Sequence, residues 1–185
     1  MRALLWITGL MFLIIIGAIL IFGGSKKAAP ILNALKPLPD YAKTGSSVNM
    51  TTDGMINGND THRQISITVD QNQRVLDIIQ GYSGTVMNHY AFANTQDAYN
   101  VFLHAINNVG FLSIYKDVTT DYVGQCPTGD RYIFTLNQAG NKLATRWASD
   151  CGPKAGNLAG DLSTLQDLFQ NQITGYNDLT DNVQL

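Results

Sequence analysis

The chain has 185 residues, a net charge of −2 and only 14% charged residues, which is one domain's worth of chain plus extras. All fourteen acidic residues are Asp, with sixteen Asn and eleven Gln and no Glu; the soluble part is mildly acidic, without the basic patch that nucleic-acid binding leaves. Nucleic acid is therefore excluded as an expected partner, and the amide richness reads as a neutral, hydrated surface.

Residues 4–22, "LLWITGLMFLIIIGAILIF", form nineteen positions without a charge. As a helix they span about 30 Å, the hydrocarbon thickness of a bilayer. A secretory signal has a shorter apolar core and a small-residue cleavage site. "FGGSKKAAP" offers no convincing one, so residues 1–27 are expected to be an uncleaved membrane anchor. No cysteine follows the apolar run, which excludes a lipoprotein anchor. Orientation draws on two opposed signals. Lys26, Lys27 and Lys36 outnumber Arg2, favouring a cytoplasmic carboxy-terminal domain. The extreme amino-terminal position of the anchor and the cysteine pairing argued below favour a domain outside the cytoplasm, and that is the expectation adopted.

Residues 28–50 read as a tether, interrupted by Pro30, Pro37 and Pro39 and loosened by Gly45-Ser46-Ser47. The folded domain is expected over 51–185. Ile65, Ile67 and Val69 alternate with polar residues, as in a half-buried strand, and "DQNQR" turns the chain back through Leu76 and Ile78. A helix is predicted near 95–109, with Ala98, Val101, Phe102, Ala105, Ile106 and Val109 on its apolar face. Asn94 or Thr95 would cap it, and Gly110 would end it.

A second unit follows the same order. Tyr132, Phe134 and Leu136 alternate, "NQAGN" turns, and Leu143, Thr145 and Trp147 return. A helix near 163–174 carries Leu165, Leu168, Phe169 and Ile173, with Gly175 as terminator. A shift of 67 superposes Val69 on Leu136, Leu76 on Leu143, Phe102 on Phe169 and Ile106 on Ile173; upstream the shift is 68. The extra residue is expected as a bulge in the first strand of one hairpin. Two ββα units, about 51–110 and 119–176, fit either an internal duplication or two similar but unrelated units. The expected fold class is α+β: a ββαββα domain whose four-stranded, mainly antiparallel sheet carries two helices on one face.

Cys126 and Cys151 are the two cysteines. If Leu136 pairs with Asn141, then Phe134 faces Leu143, and the same register extrapolates to Cys126 opposite Cys151. Both cysteines leave the open end of one hairpin, so a disulfide is the expected pairing, contributing about 3 kcal/mol. A zinc site needs a denser Cys/His cluster than His62, His89 and His104 supply. A catalytic thiol needs a base, and no family signature surrounds either cysteine. Neither His62 nor His89 shows a partner carboxylate in the sequence, and His104 falls opposite the apolar helix face. "DGMINGND" matches a calcium loop at Asp53, Asn57 and Gly58 but fails at Met55 and Gln64. Asn49 and Asn59 begin glycosylation sequons. No catalytic residue, metal or cofactor is expected. Tyr82, Tyr90, Tyr115, Tyr122 and Tyr176 fall near element ends, where tyrosine serves interfaces or edge packing.

At "QCPTGDRYIF", "RWASDCG" and "LFQNQITGYNDLT" the sequence resembles small single-pass membrane proteins of Saccharibacteria and related candidate bacterial phyla. The likeness covers about residues 51–185. It implies a bacterial envelope setting and no reaction. Together these features lead to an expected membrane-anchored, extracytoplasmic interaction or scaffolding module, a subunit of a cell-envelope complex. Its partners would be the lipid bilayer, through residues 4–22, and an envelope protein. The alternatives are a small-ligand sensor and, behind it, a cell-surface hydrolase.

Overall fold

The computed structural model describes residues 35–115, 118–152 and 155–185. The expected anchor and the first part of the tether lie outside them. No helix among the described residues is long and apolar enough to cross a membrane.

Six strands form one antiparallel sheet: β1 (Ser46–Asp53), β2 (Arg63–Asp70), β3 (Gln73–Gln80), β4 (Thr85–Ala93), β5 (Arg131–Gln138) and β6 (Asn141–Ser149). Their spatial order is β4-β3-β2-β1-β5-β6. Helix α1 (Gln96–Asn108) follows β4, and α2 (Leu162–Gln170) and the short α3 (Tyr176–Thr180) follow β6. The four-stranded ββαββα expectation is thus corrected to a six-stranded sheet with three α-helices. Two strands account for the difference.

The first is β1, which lies in the stretch expected to be tether and the opening of the domain. Val48 and Met50 are fully buried, and β1 pairs along its length with β2 on one side and β5 on the other. The preceding 3₁₀ turn, Leu38–Tyr41, belongs to the fold as well: Leu38 is fully buried and its N–H donates to Asn107 Oδ1 at 3.1 Å. The second is β4, whose outward positions are exposed along nearly the whole strand, so no apolar alternation marks it. The order of elements is therefore ββββαββαα, and β4 has no counterpart in the second half. A constant offset is not kept either. β2 and β5 start at Arg63 and Arg131, and β3 and β6 at Gln73 and Asn141, an offset of 68 in both pairs. The helices start at Gln96 and Leu162, an offset of 66.

Registers differ from expectation in the second hairpin. Gln138 pairs with Asn141 around a two-residue turn, Ala139-Gly140, in which both residues have positive φ. Such primed turns match the twist of paired strands. Leu136 then faces Ala144 rather than Asn141: the tight turn moves the register by two residues, and Leu143, the extra residue of a bulge, moves it by one more. The bulge therefore sits in the second strand of this hairpin, not the first, and leaves Leu143 37% exposed. A second irregularity lies between Ile78 and Ile79, opposite β4.

The helices cover one face of the sheet. Phe102, Ile106, Phe169 and Ile173 are buried with Val48, Met50, Ile65, Ile67, Leu76 and Phe134 in one apolar cluster. On α1 the buried stripe is Tyr99, Phe102, Leu103 and Ile106; Val101 is 67% exposed, so the apolar face lies a step around the helix from the predicted one. Thr95 caps α1, accepting from Ala98 N. α2 ends at Gln170 rather than near 174, and Gly175, with φ 73°, starts α3 instead of ending α2.

Asp161 caps α2. Its carboxylate accepts from Thr164 N at 3.1 Å and from the hydroxyls of Thr164 and Ser163. The Thr164 amide foremost, then the two hydroxyls, hold this carboxyl below the usual carboxylate range. A depressed value in the folded chain means the cap's contribution is present at neutral pH and is lost as pH falls through that value. The protection of the Thr164 amide, measured against its intrinsic exchange rate at each pH, is expected to fall on acidification in the native chain and to be lost at every pH in Asp161→Ala. An amide equally protected in that variant would contradict the cap.

Candidate functional site at the disulfide end of the sheet

The ends of β1, β3 and β6 and the starts of β2, β4 and β5 gather at one end of the sheet, with the disulfide. Cys126 and Cys151 are bonded, with Cα atoms 5.5 Å apart. The ladder does not bring them together, since it runs only from Arg131 opposite Ser149. A turn does. Cys126 has φ 47°, Gly129 N donates to its carbonyl, and Asp150 N donates to Asp130 O at 3.1 Å. Gly129 is required there, because a Cβ would lie 2.9 Å from Cys126 Sγ. Replacing both cysteines by Ser is expected to lower stability by about 3 kcal/mol. Denaturant unfolding checks this, and mass spectrometry of the unreduced chain should find the two peptides joined. Two free thiols with unchanged stability would contradict it.

Behind the disulfide loop lies a buried polar cluster that the sequence did not reveal. Arg131 is almost wholly buried. Its Nε donates to Asp53 Oδ2 at 2.9 Å, its second terminal nitrogen reaches the same oxygen at 2.8 Å and Gly54 O at 2.7 Å, and the other donates to the carbonyls of Gln125 and Cys126. Asp53 Oδ1 takes His62 Nε2 at 2.9 Å and Gln64 Nε2 at 3.0 Å. His62 is fully buried, with Nδ1 3.1 Å from Met55 O. Both ring nitrogens are thus engaged, Nε2 by Asp53 and Nδ1 by the Met55 carbonyl. Tyr82 stacks on the imidazole at 4.1 Å between centroids and exchanges hydrogen bonds with the backbone of Asn57. Every oxygen of Asp53 and both nitrogens of His62 are committed internally. The cluster therefore rivets the 54–62 loop and the disulfide loop to β1, β2 and β5, and offers no free base to a substrate. It also disposes of the calcium-loop match, because Asp53 is held by Arg131 and His62.

Both histidines expected to lack a carboxylate have one. Besides His62 with Asp53, exposed His89 places Nδ1 2.6 Å from Asp77 Oδ1, its cross-strand neighbour. The second pair was illegible because it depends on β4. Among the described residues no three His, Cys, Asp or Glu converge as a metal site. His104 is exposed on α1. Asn49 lies within β1, its amide nitrogen bonded to Ser66 Oγ, Ile67 O and Thr68 Oγ1, while Asn59 Oδ1 accepts from Tyr82 N. Of the tyrosines, Tyr82 belongs to this end, Tyr90 lies within β4, Tyr176 opens α3, and Tyr115 and Tyr122 lie in the loop before β5. Tyr132 joins the same end: its hydroxyl donates to Asp150 Oδ2 at 3.0 Å, and burial foremost, with that bond, pushes the phenol up to about 12.

The surface of this end carries an apolar patch among polar loop residues. Met55, Ile56, Tyr82, Val86 and Met87 are all exposed, the last three by about half. They lead onto β4, whose outer edge is bare. The two sheet edges differ in kind. On β6, Trp147 O accepts from Leu158 N and Trp147 N donates to Asn157 Oδ1, so residues 155–158 cover the strand; Lys142, Arg146 and the Leu143 bulge guard it further. On β4, "TVMNHYAFA" contains no Lys, Arg, Asp or Pro. Among the described residues only Arg74, donating to Ala93 O, touches its free backbone. No family model, no curated protein and no solved structure matches the chain.

Proposed function

We propose that this chain is a membrane-anchored, extracytoplasmic interaction or scaffolding module of a cell-envelope complex, with β4 as its docking edge. The contrast between the two edges carries this reading. Exposed strand edges template pairing with other chains, and proteins usually block them with charge, proline, bulges or cover. β6 has charge, a bulge and cover, whereas β4 has only the bulge at Met87 and neither charge, proline nor cover on its outer edge. The occupant is an extended segment of an envelope protein that adds a strand to β4 and sets apolar side chains against Val86 and Met87, in the manner of β-augmentation. The uncharged segment 4–22 supports the anchor. The disulfide supports an oxidising compartment, since such bonds persist outside the cytosol.

A photo-crosslinking amino acid placed at Val86 of the full chain, in intact cells, tests the proposal against the same group at Thr145 on β6. A discrete adduct is expected from Val86 alone, and Met87→Lys should suppress it by putting a charge on the edge. The adduct should be open to protease added outside the cells. Equal adducts from both edges, or an adduct protected until lysis, would overturn the reading.

A further inference from the structure

The face of the sheet opposite the helices carries a trough of about 330 Å³ that the edge-docking reading does not use. Its floor is β1, β2 and β5, and the alternation of those strands decides its chemistry. The helix-facing positions are apolar, while the outward ones are Asn49 and Thr51, Gln64 and Thr68, and Thr135 and Asn137. Residues 118–125 form a wall, held by Trp147 Nε1 donating to Thr119 O at 3.0 Å, and they set Tyr122 against the trough. Under that wall Ile133 and Thr135 are buried although they face away from the core.

The lining is ordered, and several of its polar groups are not bound to one another but open to the trough. The Asn49 amide nitrogen lies within hydrogen-bond distance of Ser66 Oγ, Ile67 O and Thr68 Oγ1, and its oxygen accepts from Thr51 Oγ1, which locks the middle of the floor. Thr68 Oγ1 accepts from Asn49 and Thr135 Oγ1 from Asn137, which leaves each hydroxyl proton without an acceptor among the described residues. Gln64 Oε1, Asn137 Oδ1, the Tyr122 hydroxyl and Lys142 Nζ also have no partner there. Free donors and free acceptors therefore alternate over a small, preorganised surface.

Charge narrows the ligand class. An anion would meet one exposed lysine at the rim and the Asp53 carboxylate in the floor. A cation would find both oxygens of Asp53 already taken. An apolar ligand would have only Ile133 and the Tyr122 ring. A polyhydroxylated neutral molecule fits all of these at once, because each of its hydroxyls both donates and accepts while its C–H faces pack on an aromatic ring. We propose that this trough binds a saccharide, with Thr68, Thr135, Gln64 and Asn137 holding its hydroxyls and Tyr122 its apolar face. The volume lies at the lower end of small-molecule sites and suits a mono- or disaccharide unit.

Saturation-transfer NMR on the full chain in phosphocholine micelles tests this with three probes: chitotriose, cellotriose and maltotriose. Transfer to at least one is expected. The Thr68→Val/Thr135→Val variant should bind it roughly tenfold more weakly, as the loss of two hydrogen bonds implies. Lys142→Met should stay within about twofold. If the threonine variant loses its fold, Tyr122→Ala, altered only in the loop wall, replaces it as the deciding variant, with the same expected weakening. No transfer from any probe, or transfer unchanged in Thr68→Val/Thr135→Val and Tyr122→Ala, overturns the proposal. So does displacement by inorganic phosphate that Lys142→Met abolishes, since that marks an anion site.

Discussion

Phe169→Ala is expected to lower the unfolding free energy by about 3–5 kcal/mol. Phe169 is fully buried where α2 meets α1 and the sheet, and its ring touches three others. Phe102 meets it edge-on at 5.1 Å between centroids, Phe134 lies at 5.9 Å and Phe111 at 6.2 Å. Truncation removes the transfer free energy of the ring and leaves a cavity. Those neighbours cannot fill it without leaving contacts of their own, with β5 through Phe134 and with the end of α1 through Phe111. A domain this size is stable by about 5–15 kcal/mol, so the loss is a large share of the total. Phe102→Ala should cost a similar amount, because it empties the other side of the same contact. Urea unfolding followed by circular dichroism measures both. A loss below about 1 kcal/mol at each would mean that the helices do not pack on the sheet in this way.

Arg131→Met is expected to cost about 3–5 kcal/mol, for a different reason. The substitution keeps much of the volume but removes the charge that neutralises Asp53 and the donors that hold Gly54 O, Gln125 O and Cys126 O. Asp53 then faces a nearly buried site with His62 and Gln64 as its remaining partners. Removing one member of a buried pair is worse than removing both, so Asp53→Asn added to Arg131→Met should cost less than the two single losses together. Arg131→Lys should also destabilise, because an ammonium has no planar fork with which to reach the carboxylate and three carbonyls. High salt should change little, as buried pairs are poorly screened. A thermal midpoint unmoved in Arg131→Met would show that the cluster carries no stability.

Much of the helix-facing core was legible. Ile65, Ile67 and Val69 on β2, Leu76 on β3, Phe134 and Leu136 on β5, and the Phe102, Ile106, Phe169 and Ile173 stripes are buried as their spacing predicts. Each belongs to an element with one apolar face, which writes a period of two or 3.6 into the sequence. The disulfide was legible for a weaker reason: with two cysteines only one intramolecular pairing exists, and the register used to argue for it was three residues out at the Cys151 end of the ladder. β1 was hidden because Gly45-Ser46-Ser47 and Asn49 look like linker residues. In the sheet Ser47 and Asn49 face the polar side, Ser46 is buried beside Val48 with its hydroxyl bonded to Tyr41 O and the Tyr99 hydroxyl, and Val48 and Met50 are too few to display a period. β4 was hidden because an edge strand packs on one neighbour only, and its bulge breaks what alternation it has.

What this sequence determines by itself is local: which stretches alternate, which turn, which present an apolar stripe, and that residues 4–22 carry no charge. Tertiary structure alone decided that β1 would enter between the two hairpins, because that depends on both of its edges finding partners far along the chain. It also decided the meaning of the polar residues. Asp53, His62 and Arg131 are ordinary as letters, yet they meet because β1, β2 and β5 are neighbours and their ends are closed by loops that exclude water. Likewise Asn49, Thr68 and Thr135 form one surface only once their three strands lie side by side. Hydrophobic periodicity is written within an element, whereas polar constellations are written between elements, in the pairing of strands that no local pattern specifies.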